Sequence, residues 1–136
     1  MNQIVDISAL HGALIYFVVL IAIFIGLTLG VVRQRRGKQI GIGDGGDKQL
    51  MRWIRVQGNF VESATLGIPA IFAVVLAGAG LWAVHVVALL FIIGRLAHAQ
   101  GLSQSIGASA GRATGMLLTW TALIVAGGVI LWKVLG

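Results

Sequence analysis

The sequence predicts an all-α fold: a four-transmembrane-helix bundle of antiparallel, up-down topology. Composition is the first ground, because 58% of the 136 residues are hydrophobic and only 10% are charged. A soluble domain of this length cannot hide that much apolar surface. The second is that the apolar residues fall into four separate stretches, each long enough to cross a bilayer. About 20 residues rising about 1.5 Å each span a hydrocarbon core of roughly 30 Å. Helices are then the default, since lipid offers no partner for an unpaired backbone group.

Taken in order, the expected spans are residues 9–32, 51–79, 81–100 and 113–135, all within one domain covering 1–136. The first lacks a basic segment ahead of it, with only Asp6 charged there, and is too long for a signal-peptide core. It is expected to remain as a membrane helix. Between the first two spans lies the long loop Arg33 to Lys48. Its Gly41–Gly46 segment lacks the preceding strand and the Lys-Ser/Thr ending of a phosphate-binding loop, and reads as a flexible hairpin. The Gly78-Ala79-Gly80 connection is so short that helices two and three must be antiparallel neighbours. The third connection, Leu102 to Gly111, is rich in Gly and Ser. Small residues recur four apart, at Gly26 and Gly30, Ala73 and Ala77, and Gly107, Gly111 and Gly115, a spacing that favours close helix approach or oligomerisation. Trp53, Trp82 and Trp132 suit interfacial belts, whereas Trp120 is expected deeper, as pocket wall or core.

The net charge of +6 is a matter of topology rather than of nucleic-acid binding. Arg33, Arg35, Arg36, Lys38, Lys48, Arg52 and Arg55 lie in or beside the first loop, and Arg95 and Arg112 flank the third. Only Lys133 lies at the other end. The positive-inside rule makes the basic side cytoplasmic and puts both termini on the non-cytoplasmic side. Membrane lipid is therefore the expected partner, and nucleic acid is not. There is no cysteine, so any thiol chemistry needs a thiol brought by a ligand. His11 and His85 lie apart near the outer face and read as packing or interfacial residues; no metal site is expected.

Charged and polar groups at membrane depth are costly and mark function or a structural network. Arg52, Arg55, Asn59 and Glu62 follow a 3-4-3 spacing that sets them within about 80° on one helix face, with Gln57 well off it. Arg95 and His98 share a face of helix three, and Arg112 opens helix four at the same depth. One reading is a network in which Glu62 pairs with an arginine inside the bundle. Against it, Glu62 is the sole carboxylate at this depth and faces Arg55, Arg95 and Arg112. An anion or a zwitterion bearing carboxylates balances that excess, with guanidinium forks as its clamps.

The string Arg55-x-Gln57-x-Asn59-x-x-Glu62, followed by Gly94-Arg95-Leu-Ala-His98, resembles the MAPEG family, the membrane-associated proteins in eicosanoid and glutathione metabolism, in a short bacterial form. The resemblance covers nearly the whole chain. It implies a homotrimer in the bacterial inner membrane, with glutathione as co-substrate held between subunits by Arg55, Gln57, Asn59, Glu62, Arg95 and His98. It also implies that Arg112 stabilises the glutathione thiolate for attack on a lipophilic small-molecule substrate, as a transferase or peroxidase. The chain departs from the glutathione-using members where they carry tyrosines, since His98 and Leu102 stand in those places and the only tyrosine is Tyr16. A non-catalytic lipid-binding or scaffold role is the alternative within the family. A four-helix multidrug exporter is a more distant rival, for such proteins place their glutamate in the first span.

Overall fold

The computed structural model describes residues 5–104 and 107–136. Four helices account for nearly all of them: α1 (Ile7–Lys38), α2 (Lys48–Leu76), α3 (Leu81–Gln104) and α4 (Ala110–Leu135). All four are long and apolar enough to cross a membrane, and no strand occurs among the described residues. They form an antiparallel bundle in which α3 packs most closely on α4 and also touches α1 and α2, while α1 and α4 do not meet. The chain's alternation brings nine of its ten basic residues to one end, and Lys133 to the other.

The helices overrun the apolar stretches because side chains cap them. Asp6 receives the N–H groups of Ser8 and Ala9 and so starts α1. At the far end Arg35, Arg36 and Lys38 occupy the last turn, where cations favour the helix dipole, and Gln39 closes it in a left-handed conformation. The loop is thus only 39–47, not the Arg33 to Lys48 expected. It is also tied down. Lys38 Nζ donates to Asp47 Oδ2 at 2.7 Å, and Asp47 Oδ1 accepts the Leu50 N–H to begin α2. The α2–α3 turn relies on Gly78, at φ 78°, whose N–H donates to the Val75 carbonyl while Ala79 donates to Val74. α3 runs on to Gln104, past the expected end at 100, where Arg52 donates to its carbonyl. Ser109 caps α4; residues 105–106 of the third connection lie outside the described residues.

The apolar core is formed by α1, α2, α3 and α4 side chains such as Leu20, Ile71, Val74, Phe91 and Ala122. Glycines let backbones meet where the polar groups lie. A Cβ on Gly115 would stand 2.5 Å from the His98 nitrogen, and one on Gly101 would stand 2.6 Å from the Arg112 nitrogen. Gly30 similarly admits the Trp53 ring, so Trp53 packs within the bundle. Gly26, by contrast, has open space before it. Trp120 is not core of the bundle: it is 57% exposed on the surface of the chain.

Gly115→Ala should force α3 and α4 apart and lower stability by about 1–3 kcal/mol, the usual cost of overpacking; thermal unfolding in detergent followed by circular dichroism measures it. A pH effect follows from Asp47. The Lys38 ammonium and the Leu50 N–H hold its carboxyl below the ordinary value of 3.8. Its contribution is therefore complete above that value and lost as pH falls through the lowered one. Asp47→Ala should melt earlier than the native protein at pH 7, and the gap should close in acid.

Candidate functional site

The polar residues at the basic end divide into an inner lock and an open cleft. Arg95 is the lock. It is only 2% exposed, and each of its three guanidinium nitrogens donates to the protein. Nε and Nη2 reach Thr119 Oγ1 at 2.9 and 2.6 Å, and Nη2 also reaches the Gly115 carbonyl at 3.2 Å. Nη1 donates to Asn59 Oδ1 at 2.7 Å and to Ser63 Oγ at 2.8 Å. Thr119 in turn donates to the Gly115 carbonyl. One side chain of α3 thereby joins α2 to α4.

Beside this lock is a cleft of about 190 Å³ lined by Met51, Arg52, Arg55, Asn59, His98, Leu102 and Arg112. The 3-4-3 spacing on α2 supplies Arg52, Arg55 and Asn59, α3 supplies His98 and Leu102, and α4 supplies Arg112. Three guanidinium groups and no carboxylate line it, so it selects for anions. A second, wider cleft of about 360 Å³ opens on the α3–α4 side, lined by His98, Gly107, Ala108, Ser109, Arg112, Ala113 and Met116. His98 and Arg112 thus stand between the two clefts. Arg112 is steadied by donation from Nη1 to the Gly107 carbonyl at 2.8 Å, and Ser109 Oγ donates to the Gly101 carbonyl at 3.2 Å.

Sequence-expected residues outside the cleft lining take three different positions. Glu62 does pair with an arginine, Arg55 Nη1 at 3.7 Å, but on the surface of the chain, where the Arg55 and Glu62 side chains are 58% and 60% exposed. Gln57 is half-buried on another face of α2, the one that carries Val61, Ala64 and Ile68. Those three line an apolar groove of about 320 Å³ against Leu20, Ile21 and Phe24 of α1. Arg95 departs furthest from the expectation of a ligand-holding group. Its donors are spent on the bundle, because a buried guanidinium must pair each of them internally.

The sequence profile of the MAPEG family matches residues 13–132. The chain belongs to the MAPEG family. Two Escherichia coli proteins, from strain K12 and from the O6:H1 strain CFT073, are similar to it, and both are named inner membrane protein YecN. Each is 31% identical over 118 residues, which cover 87% of this chain and 88% of the relative.

Within this MAPEG chain, Thr119 and Ser63 are site-forming residues that sequence reading missed. Helical arithmetic could have found them. Ser63 lies four residues after Asn59, and Thr119 lies seven after Arg112, each on the face of a residue already singled out. The lone Tyr16 is at the far end of the bundle, where its hydroxyl meets His85 Nδ1 at 2.8 Å. It is therefore remote from the cleft.

Arg95→Met should leave Thr119, Asn59 and Ser63 without their partner. Each buried polar group so stranded costs about 1–3 kcal/mol. Thermal unfolding should show a large drop for Arg95→Met and a smaller one for Thr119→Val.

Proposed function

We propose that the protein is a glutathione-dependent transferase or peroxidase of the bacterial inner membrane, acting on lipophilic electrophiles or hydroperoxides. The observation that carries this reading is a match of charges. Arg52, Arg55 and Arg112 line the cleft and Glu62 lies just beyond it. Glutathione in its reactive form carries three anionic groups, two carboxylates and a thiolate, and one ammonium. Guanidinium forks suit the carboxylates, and Glu62 suits the ammonium. Arg112, between the two clefts, takes the sulfur.

The chemistry asked of the protein is modest. A free thiol of pKa about 8.5 is only a few per cent ionised at neutral pH, and an adjacent guanidinium raises that fraction. The thiolate then attacks an apolar substrate arriving from the lipid. Asn59 is oriented by Arg95, so Arg95 serves the ligand through its neighbour rather than by touching it.

The protomer alone does not enclose such a ligand. Its cleft of about 190 Å³ is below the roughly 300–1,000 Å³ usual for small-molecule sites. The Arg55–Glu62 pair, moreover, lies open on α2. We assign the missing wall to a second copy of the chain in a homotrimer, with the apolar groove between α1 and α2 available to an acyl chain or to that copy. The inner membrane location draws on the name of the Escherichia coli relatives, and the positive-inside rule supports a cytoplasmic position for the basic end.

Calorimetric titration of glutathione into the detergent-solubilised protein tests the reading. Saturable binding is expected, lost in Glu62→Ala. Arg112→Ala should keep binding but lower turnover by about a hundredfold, the scale of losing one donor to a developing anion. Absence of binding to the native protein, with retained affinity for a fatty acid, would instead favour the lipid-binding scaffold, the role to which His98 and Leu102 in the tyrosine positions also point.

A further inference from the structure

Forming a thiolate from a thiol leaves a proton to be placed, and guanidinium groups cannot take it. The groups around the cleft are Arg52 and Arg55 from α2, Arg95 from α3 and Arg112 from α4, all already protonated. No carboxylate lines the cleft. Glu62 is on the outer surface of α2 beside Arg55, Asp47 is held by Lys38 in the first loop, and Asp44 accepts the Gly46 N–H in the same loop. Tyr16 is at the opposite end, bonded to His85. Among the described lining residues, His98 is the one whose side chain offers a nitrogen able to accept a proton and give it back.

Its placement suits that task. His98 is 5% exposed, lines both clefts together with Arg112, and has its backbone pressed against Gly115, where even a methyl group would collide. The residue is therefore fixed by its main chain at the wall shared by the two clefts. We propose that His98 accepts the thiol proton of bound glutathione and returns it to the acceptor substrate. This inference rests on the glutathione reading above.

The steps balance without any further reactant. The S–H bond breaks as an N–H bond forms on the imidazole, giving an ion pair of thiolate and imidazolium. The thiolate then forms a C–S bond with an epoxide carbon. The C–O bond breaks, and the resulting oxyanion takes the proton from the imidazolium. His98 ends as it began. Nothing is oxidised, and the sulfur's proton ends on the product oxygen.

The test counts protons. Glutathione is mixed with the native protein in weak buffer containing a pH indicator, while ultraviolet absorbance follows the thiolate. The expected result is thiolate formation with far less than one proton released per thiolate formed. His98→Gln should release close to one proton for each thiolate that does form, and turn over an epoxide about a hundredfold more slowly. Release of a full proton by the native protein would overturn the proposal whether or not the variant folds, as would identical proton counts in the two proteins. Failure of the native protein to bind glutathione at all would overturn the parent reading and this inference with it, and the calorimetric signal separates that case from the others.

Discussion

A guanidinium group cannot be buried in an apolar bundle unless its N–H groups all find acceptors, and Arg95 meets that demand by drawing on two neighbouring helices. Thr119 and the Gly115 carbonyl come from α4, Asn59 and Ser63 from α2. Each acceptor is thereby fixed in turn. With Oδ1 of Asn59 committed to Arg95, its amide nitrogen is left for the cleft, and Thr119 closes the circuit by donating to the Gly115 carbonyl. The network thus joins the helices at the depth where the site is built.

That reach is possible only because α3 and α4 nearly touch. Gly94, Gly101, Gly111 and Gly115 let the two backbones approach closely, so a carbonyl of α4 lies within hydrogen-bonding range of an α3 side chain. In lipid, where apolar side chains gain little by leaving one hydrophobic surroundings for another, such backbone contact and polar bonding supply the association. The same seam sets the register of the cleft. Gly101 lies against the Arg112 nitrogen, and Gly115 against that of His98, so the two residues that divide the clefts are positioned by main-chain contact.

The fold was legible because its signal is additive: four apolar stretches, a turn too short for anything but a hairpin, and basic residues gathered at one end. Helix ends were less so, since they depend on caps such as Asp6 and Asp47 rather than on hydropathy. Helical spacing placed Arg52, Arg55 and Asn59 on one face, and the structure sets these three in one cleft with His98 and Arg112. It could not say which arginine faces a ligand and which is consumed by the bundle, because Arg55 and Arg95 look alike as residues. What separates them is the set of acceptors on other helices, Thr119 above all, 24 residues further along the chain from Arg95. The spacing of Gly111 and Gly115 announced close packing but not its partner, which is α3 of the same chain.

The contrast between Arg95 and Arg55 also bears on why the site lies where it does. Arg95 finds its acceptors within the single chain. Arg55 has Glu62 at 3.7 Å, longer than a strong charge-assisted hydrogen bond, and both side chains remain open on α2. A pair so placed has neither the full hydration of a water-exposed pair nor the satisfied bonds of a buried one. Further along the same helix, Leu66 and Leu76 are also exposed, and an apolar groove of about 310 Å³ lies between α2 and α4. A partner that brings carboxylate and ammonium groups to the polar end of α2, and apolar surface to the rest, satisfies both halves at once. On the proposed reading, a zwitterionic ligand would meet the first requirement and a second copy of the chain the second. Ligand binding and assembly would then draw on the same helix face, and each would strengthen the other through it.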